Sequence, residues 1–116
     1  MFHNLIKEIW GTTPGLKNLL LTGVDGIVIE KHHESEEDEF LAAEAANLVK
    51  ESQRFGTELG SGPLMFLSSH YEDMTLAIQM VTQEYFMLGI LEDPRHLGIV
   101  RYRFNLKSHE WYSVIA

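Results

Sequence analysis

The run Tyr85–Leu91 is apolar on both of its alternating sets, with Tyr85, Met87, Gly89 and Leu91 on one side and Phe86, Leu88 and Ile90 on the other. A strand of this composition belongs in the middle of a sheet, with helices covering each face. The rest of the chain must therefore supply both the flanking strands and the two covering layers.

The remaining patterns supply them. Phe2, Leu5, Ile6 and Ile9 recur at helical spacing, with Lys7 and Glu8 opposite, and Gly11 and Pro14 close this first amphipathic helix, expected over 2–10. Two apolar runs follow, Leu16–Thr22 and Gly26–Lys31. The Gly23-Val24-Asp25-Gly26 segment between them signals a hairpin, because glycine tolerates the positive φ of a tight turn. Glu34-Ser35-Glu36-Glu37-Asp38-Glu39 holds five of the chain's seventeen acids. It can be read as a cation or docking site, or more simply as a helix start with Ser35 as N-cap and carboxylates complementing the helix dipole. The helix behind it is expected over 36–58, with Leu41, Ala45, Leu48, Ser52, Phe55 and Leu59 as its inner stripe and Gly56 and Gly60 at its end.

Pro63–Ser69 is expected to be a strand and His70-Tyr71-Glu72-Asp73 a turn. Residues 74–80 alternate Met74, Leu76, Ile78 and Met80 against Thr75, Ala77 and Gln79, the pattern of a half-buried strand. Asp93-Pro94 opens the last helix, whose inner stripe is Leu97, Val100, Phe104 and Trp111. The element order is α-β-β-α-β-β-β-α, an α/β (α+β) sandwich with one five-stranded sheet and helices on both faces. At 116 residues it is expected to be one domain, 1–116.

Composition narrows the chemistry. Cysteine is absent, so disulfides, thiol catalysis and cysteine-ligated metals are excluded. The formal charge of −8, without a basic run, argues against nucleic acid as a partner. No apolar run reaches the roughly 20 residues of a membrane span, and the start lacks a secretory pattern, so a cytoplasmic setting is expected. There is no GxxxxGK[ST] loop and no GxGxxG turn. His32 and His33, as neighbours on a strand, are expected to point to opposite faces and to hold no metal. Ser68, His70 and Asp73 include the residue types of a hydrolytic triad but crowd a hairpin tip, with nothing to supply an oxyanion hole. Tyr71, Tyr102, Trp111 and Tyr112 could stack on a ligand but read better as the edge of the core. No catalytic residue, cofactor or metal is expected.

The hairpin Leu20-Leu21-Thr22-Gly23-Val24-Asp25-Gly26-Ile27-Val28, the helix segment Leu41-Ala42-Ala43-Glu44-Ala45-Ala46-Asn47-Leu48 and the end Leu97-Gly98-Ile99-Val100-Arg101 together resemble the roadblock/LC7 family, over about residues 5 to 112. Length and the short first helix are most similar to its stand-alone prokaryotic members. The resemblance implies a profilin-like or longin-like sandwich with strand order 2-1-5-4-3. It also implies dimers joined through the third strand and second helix, which serve as platforms for Ras-like GTPases or as light chains of motor complexes. One departure stands out: Lys50, Glu51, Gln53 and Arg54 occupy helix positions where small residues are the rule at the GTPase contact.

The residues argue for a dimer independently. Leu64, Met65, Phe66 and Leu67, followed by Ser68, form an apolar strand segment without an interrupting lysine or proline, and such an edge invites pairing. These five are the expected homodimer interface. Lys50, Glu51, Gln53, Arg54 and Glu58 are the expected partner-binding face. The expected function is a non-enzymatic homodimeric regulator of a small Ras-like GTPase. The alternatives are a scaffold or light chain without effect on hydrolysis, and a small-ligand sensor.

Overall fold

A computed structural model describes residues 2–115. The first helix, α1, spans Phe2–Thr12 and buries Leu5, Ile6 and Ile9. It runs past Gly11, beyond the expected end at residue 10. Thr13, the residue before Pro14, is the one that leaves the helix, as the proline ring disfavours helical backbone there.

Strands β1 (Leu16–Gly23) and β2 (Val28–Lys31) form the expected hairpin. Gly26 turns it at φ +87°, its N–H donating to the Gly23 carbonyl at 2.9 Å, and the Asp25 carboxylate accepts from Ile27 N–H at 3.0 Å. Gly26 and Ile27 thus belong to the turn, and β2 is shorter than its apolar run.

The second helix, α2, spans Asp38–Leu59. Ser35 is not its N-cap. Glu37 holds that position in helical conformation, and the local organiser is the buried carboxylate of Asp38. This group accepts from Ser35 N–H at 2.9 Å and from the Asn18 amide at 3.2 Å, with Lys31 Nζ at 3.4 Å. The acidic run is a helix start, and one of its acids ties α2 to β1 and β2. Gly60 ends the helix at φ +66°, and Ser61 N–H reaches back to the Gly56 carbonyl at 3.0 Å, so Gly56 itself stays helical.

Strands β3 (Phe66–His70), β4 (Thr75–Met80) and β5 (Tyr85–Leu91) complete an antiparallel sheet of order β2-β1-β5-β4-β3. The doubly apolar β5 is central, as expected. β3 begins three residues later than Pro63, because Ser61-Gly62-Pro63 must return the chain from the end of α2. Ser68 and Ser69 lie inside the strand rather than at a tip. β4 is buried along its whole length, Thr75, Ala77 and Gln79 included, since it lies second from the edge beneath helices on both faces.

Asp93 caps a single 3₁₀ turn, Pro94–His96, by accepting from Arg95 N–H at 2.9 Å, and α3 (Leu97–Ile115) continues from it. Sheet alternation then sorts the core. Leu19, Leu21, Met87 and Leu91 face α1 and α3, meeting Ile6, Ile9, Val100, Phe104 and Trp111. Leu20, Leu76, Ile78, Phe86 and Leu88 face α2, meeting Ala45, Ala46 and Val49.

Candidate interaction surface

The two free edges of the sheet differ. β2 carries an irregularity between Leu21 and Thr22 of its partner strand, and its Lys31 is drawn to Glu34 and Asp38. A bulge and a lysine are ordinary ways to blunt an edge. β3 has neither: it pairs with β4 in unbroken register from Phe66↔Gln79 to His70↔Thr75. Met80 N–H to the Met65 carbonyl (3.0 Å) and Tyr71 N–H to the Met74 carbonyl (2.8 Å) set the alternation at the ends of this ladder. Phe66, Ser68 and His70 therefore turn their backbone N–H and C=O groups away from β4, toward the open side.

Beside this edge lies α2, and here the expected inner stripe needs correction. The helix buries Ala42, Ala45, Ala46 and Val49 against the sheet. Leu41, Leu48 and Ser52 are half-buried, while Phe55 and Leu59 are 61% and 62% exposed. The larger residues form a second stripe, rotated toward β3. Its C-terminal part, Ser52, Phe55 and Leu59, shares a surface groove of about 600 Å³ with Leu64 and Met65. Met65 is itself 65% exposed. Small residues sit over the sheet because α2 lies close to it there, and the bulky ones are displaced to the flank. Two parallel stripes on one helix signal two neighbours, and that sign was present in the spacing of Leu41, Leu48, Phe55 and Leu59.

Leu64, Phe66, Leu67 and Ser68 are half-buried along this edge, so all five expected interface residues border it, although Leu64 and Met65 precede the strand proper. The other expected set lies on the outer side of α2. Lys50, Glu51, Arg54 and Glu58 are exposed. Arg54 bridges Glu51 at 2.7 Å and Glu58 at 2.8 Å, and both hydrogen bonds hold its guanidinium above its ordinary pKa. Gln53 is half-buried and donates to the Gln83 carbonyl at 3.0 Å. The face is thus charged but locally balanced.

The histidines lie beyond the end of β2, so strand alternation does not separate them. Both rings collect on Trp10, His32 stacked at 3.9 Å and His33 edge-on at 5.1 Å. Burial first, then the neighbouring His33 and His3, lower the pKa of His32. No group of three or more potential ligands suited to a metal ion exists among the described residues. Ser68 and His70 share a face and a 3.1 Å hydrogen bond, but no described carboxylate bonds to that imidazole. Tyr71, Tyr102 and Tyr112 are exposed and Trp111 is buried in the core, so these aromatics do not converge. No described helix is long and apolar enough to cross a membrane.

Comparison with known proteins agrees with this architecture. No curated protein matches by sequence. Among solved structures, Myxococcus xanthus MglB is 18% identical with a TM-score of 0.77, over 97% of this chain and 89% of that one. A Roadblock/LC7 domain from Streptomyces avermitilis is 16% identical with a TM-score of 0.79, over 96% and 94%. Acanthamoeba castellanii profilin II is 10% identical with a TM-score of 0.62, over 96% and 99%, which supports the profilin-like description of the fold. The family pattern of the Roadblock/LC7 domain matches residues 5–92, which takes in the hairpin, α2 and all five strands and leaves α3 with its Leu97–Arg101 segment outside. With that span matched, the chain belongs to the Roadblock/LC7 domain family.

Proposed function

We propose that this protein is a non-enzymatic homodimer, joined through β3 and the adjoining flank of α2, that serves as a docking platform for a small Ras-like GTPase. The observation that carries the dimer is the contrast between edges: β3 is regular and flanked by exposed Phe55, Leu59 and Met65, whereas β2 is bulged. Pairing two β3 edges satisfies their outward backbone groups and covers the apolar groove in one step. Family membership supports the GTPase as partner. The similarity to MglB supports a regulatory role of the kind expected from the sequence. The partner would meet the outer side of the paired α2 helices, at Lys50, Glu51, Gln53, Arg54 and Glu58.

A regulator and a scaffold would share this surface and differ in whether the partner's GTP turnover rises. The decisive experiment captures the GTPase that co-purifies with the tagged chain and measures its GTP turnover with and without added protein. Accelerated turnover establishes a regulator, and tight binding with unchanged turnover establishes a scaffold. Failure to retain any small GTPase from the native extract overturns the partner assignment.

A further inference from the structure

A groove of about 380 Å³ lies between α3 and the start of β3, on the face of the sheet opposite α2. Its volume is at the lower end of the range that small-molecule sites occupy. Gly98, Arg101, Tyr102 and Asn105 line it from one side of α3, as their three- and four-residue spacing requires. Met65 and Phe66 form the other wall. Gln79, the β4 residue directly opposite Phe66, shares its face of the sheet and lines the groove between them.

The lining groups are chemically distinct. Arg101 holds its guanidinium carbon over the Phe66 ring, 4.8 Å from the centroid. Lys17, Lys31, Arg54, Arg95 and Lys107 each have an acidic partner, whereas no described carboxylate lies within ion-pair distance of Arg101. Stacking on a ring orients the planar guanidinium and leaves its N–H edge free to take an anion with two hydrogen bonds. Gln79 is 4% exposed, and its Nε2 donates to the Met65 and Met80 carbonyls, each at 3.2 Å. Both of its N–H groups are thus committed, which fixes the amide and leaves its oxygen, an acceptor, as the group to offer. Tyr102 and Asn105 are exposed at the rim, where a hydroxyl and an amide add hydrogen-bonding capacity.

We propose that this groove binds a small monocarboxylic acid with an apolar arm and a hydroxyl or amide N–H attached to the carbon beside the carboxylate. Arg101 takes the carboxylate, the Gln79 oxygen accepts from the adjacent donor, and the arm lies along Met65 and Phe66. A phosphate would also match the guanidinium, but it brings a second negative charge to a chain of net charge −8 and no donor for Gln79. All of these residues belong to one chain, so the site does not depend on pairing through β3. It is also separate from the outer side of α2, which lies across the sheet.

The test follows the full chain by amide NMR during titration with phenyllactate, which has the carboxylate, the hydroxyl and the apolar arm. Saturable shifts should appear at the Gly98, Arg101, Tyr102 and Asn105 amides and at the Gln79 side chain. Phenylpropionate, which lacks the hydroxyl, should bind about threefold to tenfold more weakly. The methyl ester of phenyllactate, which lacks the charge, should lose about tenfold or more, and Arg101→Gln should weaken phenyllactate by a similar factor. A Cβ on Gly98 meets nothing within 4 Å, so Gly98→Leu enters the groove without disturbing the core and should abolish binding at an unchanged or higher melting temperature. No saturable shift with phenyllactate up to about 10 mM overturns the site. Binding that survives both Arg101→Gln and Gly98→Leu places the ligand elsewhere and overturns it as well. Equal affinity for phenylpropionate overturns the contact with Gln79, and tighter binding of phenyl phosphate overturns the carboxylate as the ligand's anion.

Discussion

The Phe104 ring occupies the place that a side chain on Gly89 would take: a Cβ built on Gly89 lies 3.0 Å from Phe104 Cζ and 2.9 Å from Leu16 Cδ2. The central strand is thus notched where α3 lies over it, and the Phe104 ring fills the notch. Phe104 is fully buried, so it has nowhere to retreat. Gly89→Ala should therefore cost about 1–3 kcal/mol, as overpacking in a filled core does. A thermal melt showing Gly89→Ala as stable as wild type would mean that α3 shifts freely over the sheet.

Thr22 presents a different strain. It is wholly buried opposite Phe86, and its hydroxyl has no hydrogen-bond partner among the described residues. Thr22→Val keeps the branched shape and removes the unsatisfied group, so stability should rise by about 1 kcal/mol. Urea unfolding compares the two directly, and a clear loss would point to a water bonded to that hydroxyl.

The Trp10, His32 and His33 cluster should respond to acid. His32 has a lowered pKa in the fold, so below its ordinary value near 6.5 the unfolded chain takes up the proton more readily than the folded one. The contribution of this group is fully present above that pH and is lost as the pH falls through the folded value. Wild type should melt at lower temperature at pH 5 than at pH 7.5, and His32→Gln should flatten the difference. An equal pH response in the variant would assign the effect to other groups.

The open edge can be tested without touching a charge. Ser68 turns its N–H outward, so Ser68→Pro removes a donor that the monomer does not use, and prolines are tolerated on edge strands. Light scattering at micromolar concentration should give twice the 13.3 kDa chain mass for wild type and one chain mass for the variant, with similar circular dichroism. A dimeric variant would move the interface away from β3.

On the outer face of α2, replacing Lys50 and Arg54 together by glutamate should weaken the GTPase complex while leaving the dimer mass unchanged. Arg54→Glu also frees Glu51 and Glu58 from their bridge, so a small drop in melting temperature accompanies it. Unchanged partner affinity would move docking off this face.

Much of this architecture was legible in the chain. The place of β5 followed from an apolar pattern that no edge strand could carry, and the hairpin from a turn in which glycine alone relieves the backbone. Helix existence followed from periodicity. Boundaries did not, because ends depend on partners several residues away: Asp38, reaching Asn18, Lys31 and Ser35, starts α2 in place of the serine that local preference favours.

The orientation of α2 was decided only in three dimensions. Periodicity reports that apolar residues share a side, and it does not say whether that side meets the sheet or another chain. How near a helix lies to a sheet depends on the residues of both. Here Ala42, Ala45, Ala46 and Val49 take the close approach, leaving Phe55 and Leu59 on the flank beside Met65. The same holds for Arg101. Its sequence neighbours mark only a helix, and its distance from Phe66 arises because α3 crosses the sheet toward β3, a contact between residues 35 positions apart. Sequence by itself determined which segments could be strands and helices, through local backbone preference and the period of apolar residues. Tertiary structure decided which apolar and charged side chains remained without a partner, because that depends on the distances between elements.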